Sequence, residues 1–234
     1  MALLRFFPWR FLEALRLGRT PEYFPLALCQ FCLGLRIGEA CGLRWEDLDL
    51  DNRIVRIVQT IIWDQLTWDP SIKDRPKNGR ERVLVIPQIL AEEMKTLKTL
   101  RDPSIALVFH KNGRPLDRKS VATAYNRTLE RLGITHVSGT HMLRKTSATQ
   151  ANRVTGDFYA VSKLLDHSSP SITLRYVEEL SDQKRKVSDA LNSVLEGIKN
   201  GSGFEHKDSN LGRAVPQKPT VWARSKFTLI KSNG

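Results

Sequence analysis

Cysteine, uncharged apolar runs and acidic side chains are all scarce in this chain, and each scarcity excludes something. Of its 234 residues only three are cysteines, Cys29, Cys32 and Cys41. That count suits a reducing compartment. Cys29 and Cys32 stand in a C-x-x-C spacing, but no second such pair and no local histidine accompanies them. Their apolar, helical surroundings point to buried free thiols rather than a zinc or redox site. Residues 1–19 are apolar and aromatic, yet Arg5, Arg10, Arg16 and Arg19 interrupt them. No uncharged run reaches membrane-spanning length. The uninterrupted apolar core and small-residue cleavage site of a signal peptide are lacking too. The expected location is the cytoplasm, with no membrane partner. Acids number 25 against 37 lysines and arginines, a formal net charge of +12. A basic surface of that size is the electrostatic footprint of a nucleic-acid partner. There is no internal repeat.

What is present reads as a globular chain, 41% hydrophobic and 26% charged. Its length suits one good-sized domain, or a domain plus a tail. Thr20-Pro21-Glu22 predicts a helix start, with Thr as N-cap and Pro in the first turn. The apolar run to Cys32 predicts a buried helix that Gly34 ends, and a second helix is expected over 37–43. Residues 46–52 are acidic and turn-prone. Residues 53–62 and 82–86 read as strands, with a middle strand over 71–77 and a hairpin turn at Asn78-Gly79. That predicts a three-stranded antiparallel sheet with Lys77 at the lip of its last hairpin. The rest reads as helices over 89–100, 117–132, 140–154, 158–165, from Ser169-Pro170 onward, and over 187–198. From Gly197 on, seven basic residues face two acids among Gly, Ser, Asn and Pro. This predicts a basic, mostly disordered tail. The fold class is α+β, mainly α-helical.

The chemistry resides in a few side chains. His141 and Arg144 lie three apart on a predicted helix, hence on one face. Arg36 lies upstream, with Glu39 one turn away. His167 and Tyr176 follow. Metal-free phosphoryl transfer needs groups that hold the non-bridging oxygens of a phosphorane. Guanidinium does so bidentately and stays charged at any working pH. A tyrosine hydroxyl is mostly neutral near pH 7, so as a nucleophile it requires a base and a cationic field. His141 is a candidate base, and Lys77 a candidate donor to the leaving oxygen. Arg44 and Arg175 are equally basic alternatives for the clamp.

These stretches together resemble the tyrosine recombinases, the phage-integrase family. A first box of the type T-G-L-R-x-x-E, closing on W-x-D-h-D (h apolar), meets residues 33–49, including Gly34-Leu35-Arg36, Glu39 and Trp45. That match selects Arg36 over Arg44. A second box, H-x-L-R-H-T-x-A-T, meets residues 141–149. A third, L-L-G-H-S-S-x-x-T-T-x-x-Y, meets residues 164–176. The family lysine precedes a turn and an R-x-V-P-L-like strand, which matches Lys77 before residues 82–87.

The resemblance covers about residues 21–195. It implies that Tyr176 attacks the scissile phosphate, that Arg36 and Arg144 clamp it, and that His141 is the general acid/base. It further implies that His167 hydrogen-bonds the phosphate, that Lys77 protonates the 5′-oxygen and that Glu39 supports Arg36. The implied activity is site-specific cutting and rejoining of double-stranded DNA, without cofactor or metal, by a tetramer of protomers. Two residues depart from the pattern: Lys145 replaces a histidine and Asp166 a glycine. Family members usually carry a core-binding domain ahead of this region. Here residues 1–20 are expected as a residual linker, 21–198 as the catalytic domain and 199–234 as the tail. A truncated product, an excised piece or a solitary catalytic domain would fit, with weak, salt-sensitive DNA binding. The rivals are a non-catalytic DNA-binding remnant that regulates a full-length integrase, and a nicking-closing enzyme like the type IB topoisomerases.

Overall fold

The computed structural model describes residues 3–74, 81–165 and 177–199. Helix α2 (Phe24–Leu33) organises it. Its ten residues are all buried, as expected of a helix apolar on every side. The exception to its apolar character is Gln30, 0% exposed. A buried amide must find partners, and Gln30 finds three. Its Nε2 donates to the carbonyls of Leu35 (3.4 Å) and Thr140 (3.3 Å), and its Oε1 accepts from the Tyr125 hydroxyl at 3.0 Å. Thr20 precedes a short 3-10 turn, Pro21–Tyr23, at the predicted boundary, but its side chain caps nothing.

Helix α1 (Leu3–Arg16) packs on α2 and inserts Phe11, Leu12 and Leu15 into the same core. Residues 1–20 were expected as a linker; the spacing of these three apolar side chains on one helical face is why this segment packs instead. Phe11 meets Tyr125 edge-on, ring centroids 5.3 Å apart at 84°, a favoured aromatic arrangement.

Helix α3 (Ile37–Cys41) lies against strand β3. A Cβ on Gly38 would stand 2.3 Å from the Ile61 carbonyl oxygen, so only glycine permits this approach. The strands are β1 (Leu48–Asp49), β2 (Ile54–Ile57), β3 (Gln59–Trp63), β4 (Pro70–Asp74) and β5 (Arg82–Val85). The mainly helical α+β class holds, but the pairing differs from the expected meander. The segment read as one strand switches partners at Val58. Its first half pairs antiparallel with β5, Ile54 opposite Val85, and its second half pairs with β4, Ile61 opposite Ile72. The third strand of the main sheet is β1, paired through Leu48 and Val55. It lies within the stretch read as an acidic turn, because buried Leu48 and Leu50 give that stretch an inward face.

Helix α4 (Gln88–Thr99) follows Pro87. A further two-stranded ribbon, β6 (His110–Lys111) and β7 (Arg114–Pro115), precedes α5 (Arg118–Arg131). Asp117 caps α5, accepting from the amides of Lys119 (3.2 Å) and Ser120 (2.9 Å). Helices α6 (Met142–Thr155) and α7 (Phe158–Leu165) come next. The last described helix, α8 (Val177–Lys199), is longer than expected. It seats Val187, Leu191 and Leu195 in the core at helical spacing. Asn192 of α8 also accepts the Ile89 amide at 3.1 Å, which caps α4 where Pro87 offers no side-chain acceptor. The turn at Asn78-Gly79, Lys77, the 166–176 stretch and the tail from 200 onward lie outside the described residues.

Candidate active site

The site begins where α2 stops. Gly34 takes φ +61° and ends the helix in the left-handed region. A Cβ at this position would lie 2.6 Å from Leu165 Cδ2, so conformation and space both demand glycine. Two residues later Arg36 stands extended at the N-cap of α3. Its amide donates to Glu39 Oε2 at 2.9 Å and its Nη1 donates to Oε1 at 2.8 Å. A carboxylate in the first helical turn can reach back to the N-cap amide, and this reach fixes where the Arg36 side chain starts.

Glu39 is 1% exposed and gathers more than Arg36. Arg82 of β5 grips it bidentately, Nη2 to Oε2 at 2.7 Å and Nη1 to Oε1 at 3.1 Å. Arg144 Nη1 lies 3.9 Å from Oε2. Burial alone pushes the Glu39 carboxyl up, but the hydrogen bonds and charge of Arg82, and the hydrogen bonds of Arg36, outweigh it. They hold the carboxyl below its ordinary range, so it is an anion at neutral pH.

Arg144 is 7% exposed. Its Nη1 donates to the Gly34 carbonyl at 2.7 Å and its Nη2 to the Leu165 carbonyl. One guanidinium thus ties the Arg36 loop to the end of α7, the residue immediately before Asp166. His141 is the N-cap residue of α6, just outside the helix rather than within it, and exposed. Partial burial lowers its pKa, and the charges of Arg118, Arg144, Lys145 and Arg36 lower it further. At neutral pH the ring is therefore uncharged and able to accept a proton. Beside it opens a cleft of about 400 Å³ lined by His136, Ser138, His141, Lys145 and Thr149, among others.

The structure thus brings Arg36, Glu39 and Arg144 together, with His141 in their field. It does not bring Arg44 there: that side chain pairs with Asp47 at 2.7 Å and Glu46 at 2.6 Å. Lys77, His167, Arg175 and Tyr176 lie outside the described residues. Sequence reasoning missed Arg82, which it took only as the start of a strand. A charged residue opening an otherwise apolar strand was the available signal. Among the described residues no group of three or more His, Cys, Asp or Glu side chains is placed to hold a metal ion. All three cysteines are free and buried.

A profile of the phage integrase family matches residues 23–183. The tyrosine recombinase XerC of Xanthomonas campestris pv. campestris (strain B100) is 27% identical over 189 residues, covering 76% of this chain and 53% of that protein. The chain spans about half the length of the curated relatives it matches. Among solved structures, the Tn1549 transposon integrase in complex with transposon right end DNA superposes with a TM-score of 0.56 at 16% identity, over 76% of this chain and 63% of that one. The XerA recombinase superposes with a TM-score of 0.54 at 19% identity, over 85% and 64%. At such identities the structural likeness concerns the fold, a mainly helical domain with small antiparallel sheets. The profile match, by contrast, runs through most of the sequence and takes in Arg36, Glu39, His141, Arg144, His167 and Tyr176, and by it the chain belongs to the phage integrase family.

Proposed function

We propose that this chain cuts and rejoins double-stranded DNA at specific sites through a covalent 3′-phosphotyrosyl bond to Tyr176. The observation that carries the reading is the buried Glu39 anchor with Arg36 and Arg144 gathered on it and a neutral His141 beside them. Two pre-positioned guanidinium groups suit the equatorial oxygens of a phosphorane. The Tyr176 oxygen attacks phosphorus and His141 accepts the phenolic proton. The bond from phosphorus to the 5′-oxygen breaks, and Lys77 protonates that oxygen. His167 holds a phosphate oxygen. Rejoining reverses these steps with a 5′-hydroxyl as nucleophile, so no external energy source is required. No metal or cofactor takes part. Family membership supports the reading, as does the DNA bound to the Tn1549 integrase. Partner protomers complete a tetramer on the DNA. Residues 21–198 form the catalytic domain, joined by α1, and 199–234 a basic tail. Among the described residues no helix is long and apolar enough to cross a membrane; the proposed place of action is the cytoplasm or nucleoid.

The test is covalent trapping. The chain and a Tyr176→Phe variant are incubated at low salt with nicked duplexes from the ends of the genetic element that encodes them, then run on denaturing gels. A DNA adduct formed only with Tyr176 is expected. No adduct from the chain, alone or with a family core-binding domain fused before Pro21, would overturn the reading.

A further inference from the structure

We propose that Gln30 is a positioning residue that sets the Arg36 loop and the His141 loop at a fixed distance from each other. The inference rests on the recombinase reading for its catalytic consequence, but not for its structural content. Gln30 is the sole polar side chain of α2 apart from the backbone, and it is wholly buried. A polar group in such a place is costly unless every partner is supplied. Its amide nitrogen donates to two carbonyls, those of Leu35 and Thr140. Leu35 immediately precedes Arg36, and Thr140 immediately precedes His141. One amide group therefore joins the backbones that present the clamp and the proton-transfer group. These lie far apart in sequence, one leading into α3 and the other into α6.

The orientation of that amide is fixed from its other end. Tyr125 is fully buried, and its hydroxyl donates to Gln30 Oε1. Burial raises the Tyr125 phenol well above its ordinary pKa, so it is a neutral donor at any working pH. Turning the amide over would aim its oxygen at two carbonyl oxygens, an arrangement with no proton to share. Phe11 of α1 packs edge-on against the Tyr125 ring and holds it in turn. The chain of contacts runs from α1 through α5 and α2 to both loops. Neither donor bond of Gln30 is short, so the link is a spacer with little strength to spare. Reacting groups displaced by an ångström can lose about a hundredfold in rate.

The experiment uses the whole chain with Gln30→Met, which keeps side-chain length but removes donor and acceptor, and Tyr125→Phe, which leaves Gln30 but frees its amide to turn. Ile57→Val, a core change in β2, is the control for general loosening. The first readout needs no DNA: the His141 ring resonances and their pH titration, followed by NMR. Gln30→Met is expected to shift them and to move the midpoint toward the ordinary histidine value, Tyr125→Phe to do so less, and Ile57→Val to leave them in place. The second readout is adduct formation on the nicked duplexes at saturating DNA. Gln30→Met is expected to slow it by about tenfold or more, with DNA affinity within about twofold of the parent. Unmoved His141 resonances in Gln30→Met, or in Tyr125→Phe should the first variant fail to fold, overturn the inference. So does an equal response in Ile57→Val. If the parent chain forms no adduct, the recombinase reading fails alone, and the NMR readout still decides the role of Gln30.

Discussion

Replacing Glu39 by Gln removes one charge and almost no volume, so it isolates what the carboxylate does. In the native chain its two oxygens accept from the Arg36 amide, from Arg36 Nη1 and from both terminal nitrogens of Arg82. Glutamine offers one oxygen and turns an NH₂ toward cations. The Arg36 share is small, because a quarter of that side chain is exposed (24%) and water screens it. Most of the loss comes from Arg82, 9% exposed and left facing a neutral amide. Removing one partner of a buried pair costs about 3–5 kcal/mol. For a domain of this size that lowers the unfolding midpoint by roughly 6–20 °C. Thermal and urea unfolding, followed by circular dichroism, measure it. The pH dependence adds a second check. Since folding depresses the Glu39 pKa, its contribution is complete above the unfolded value of about 4.3 and is lost as pH falls through the folded one. The parent should therefore lose stability steeply on acidification, and the variant less so. A loss below about 1 kcal/mol, the range of an exposed pair, would refute the buried-anchor reasoning.

Other expectations follow from the same geometry. Gly34→Ala must hold a Cβ at φ +61° against Leu165; a loss of roughly 2–4 kcal/mol is expected from urea midpoints, and an unchanged midpoint would mean that α7 yields freely. Tyr125→Phe leaves the Gln30 oxygen without its donor and should cost about 1–3 kcal/mol by the same measurement. His141 should titrate by NMR with a midpoint below about 6.5; its contribution to stability is complete above that pH and declines as pH falls through the folded value, so a midpoint above it would contradict the cationic surroundings. Burial pushes the Cys41 thiol up to about 12 and raises those of Cys29 and Cys32 as well. An aromatic disulfide reagent should therefore label no cysteine in the native chain and all three after unfolding.

Much of this fold was legible because its signals are local. The cap at Asp117, the stop at Gly34 and the extent of α7 depend on neighbours in sequence, and they fall where expected. Strand pairing was not legible, since nothing near Val58 says that the chain changes partners there. The same limit hid Arg82. Its importance comes from Glu39, which a different element delivers, and only the assembled sheet brings the two together. Arg36 and Arg44 show what a motif adds: composition weighs them equally, while the first box prefers Arg36; in the fold Arg36 pairs with Glu39, and Arg44 with Asp47 and Glu46. Residues 1–20 were expected as a linker because the family pattern begins near residue 21; that α1 packs through Phe11, Leu12 and Leu15 shows only once that stripe is seen against a core.

The cap that Asn192 places on α4 has a consequence for how the chain is made. The bond to the Ile89 amide spans 103 positions. Translation at about 5–20 residues per second puts roughly 5–20 s between the two residues leaving the ribosome. Throughout that interval α4 has its residues but not its cap, and the seats of Leu191 and Leu195 stand open. The nascent chain therefore carries an apolar seam that a chaperone can read, and it closes only when α8, the helix directly after Tyr176, docks. Synthesis itself thus acts as a timer: the residues that close the core emerge among the last of the described chain, so an unfinished chain has no sealed interior.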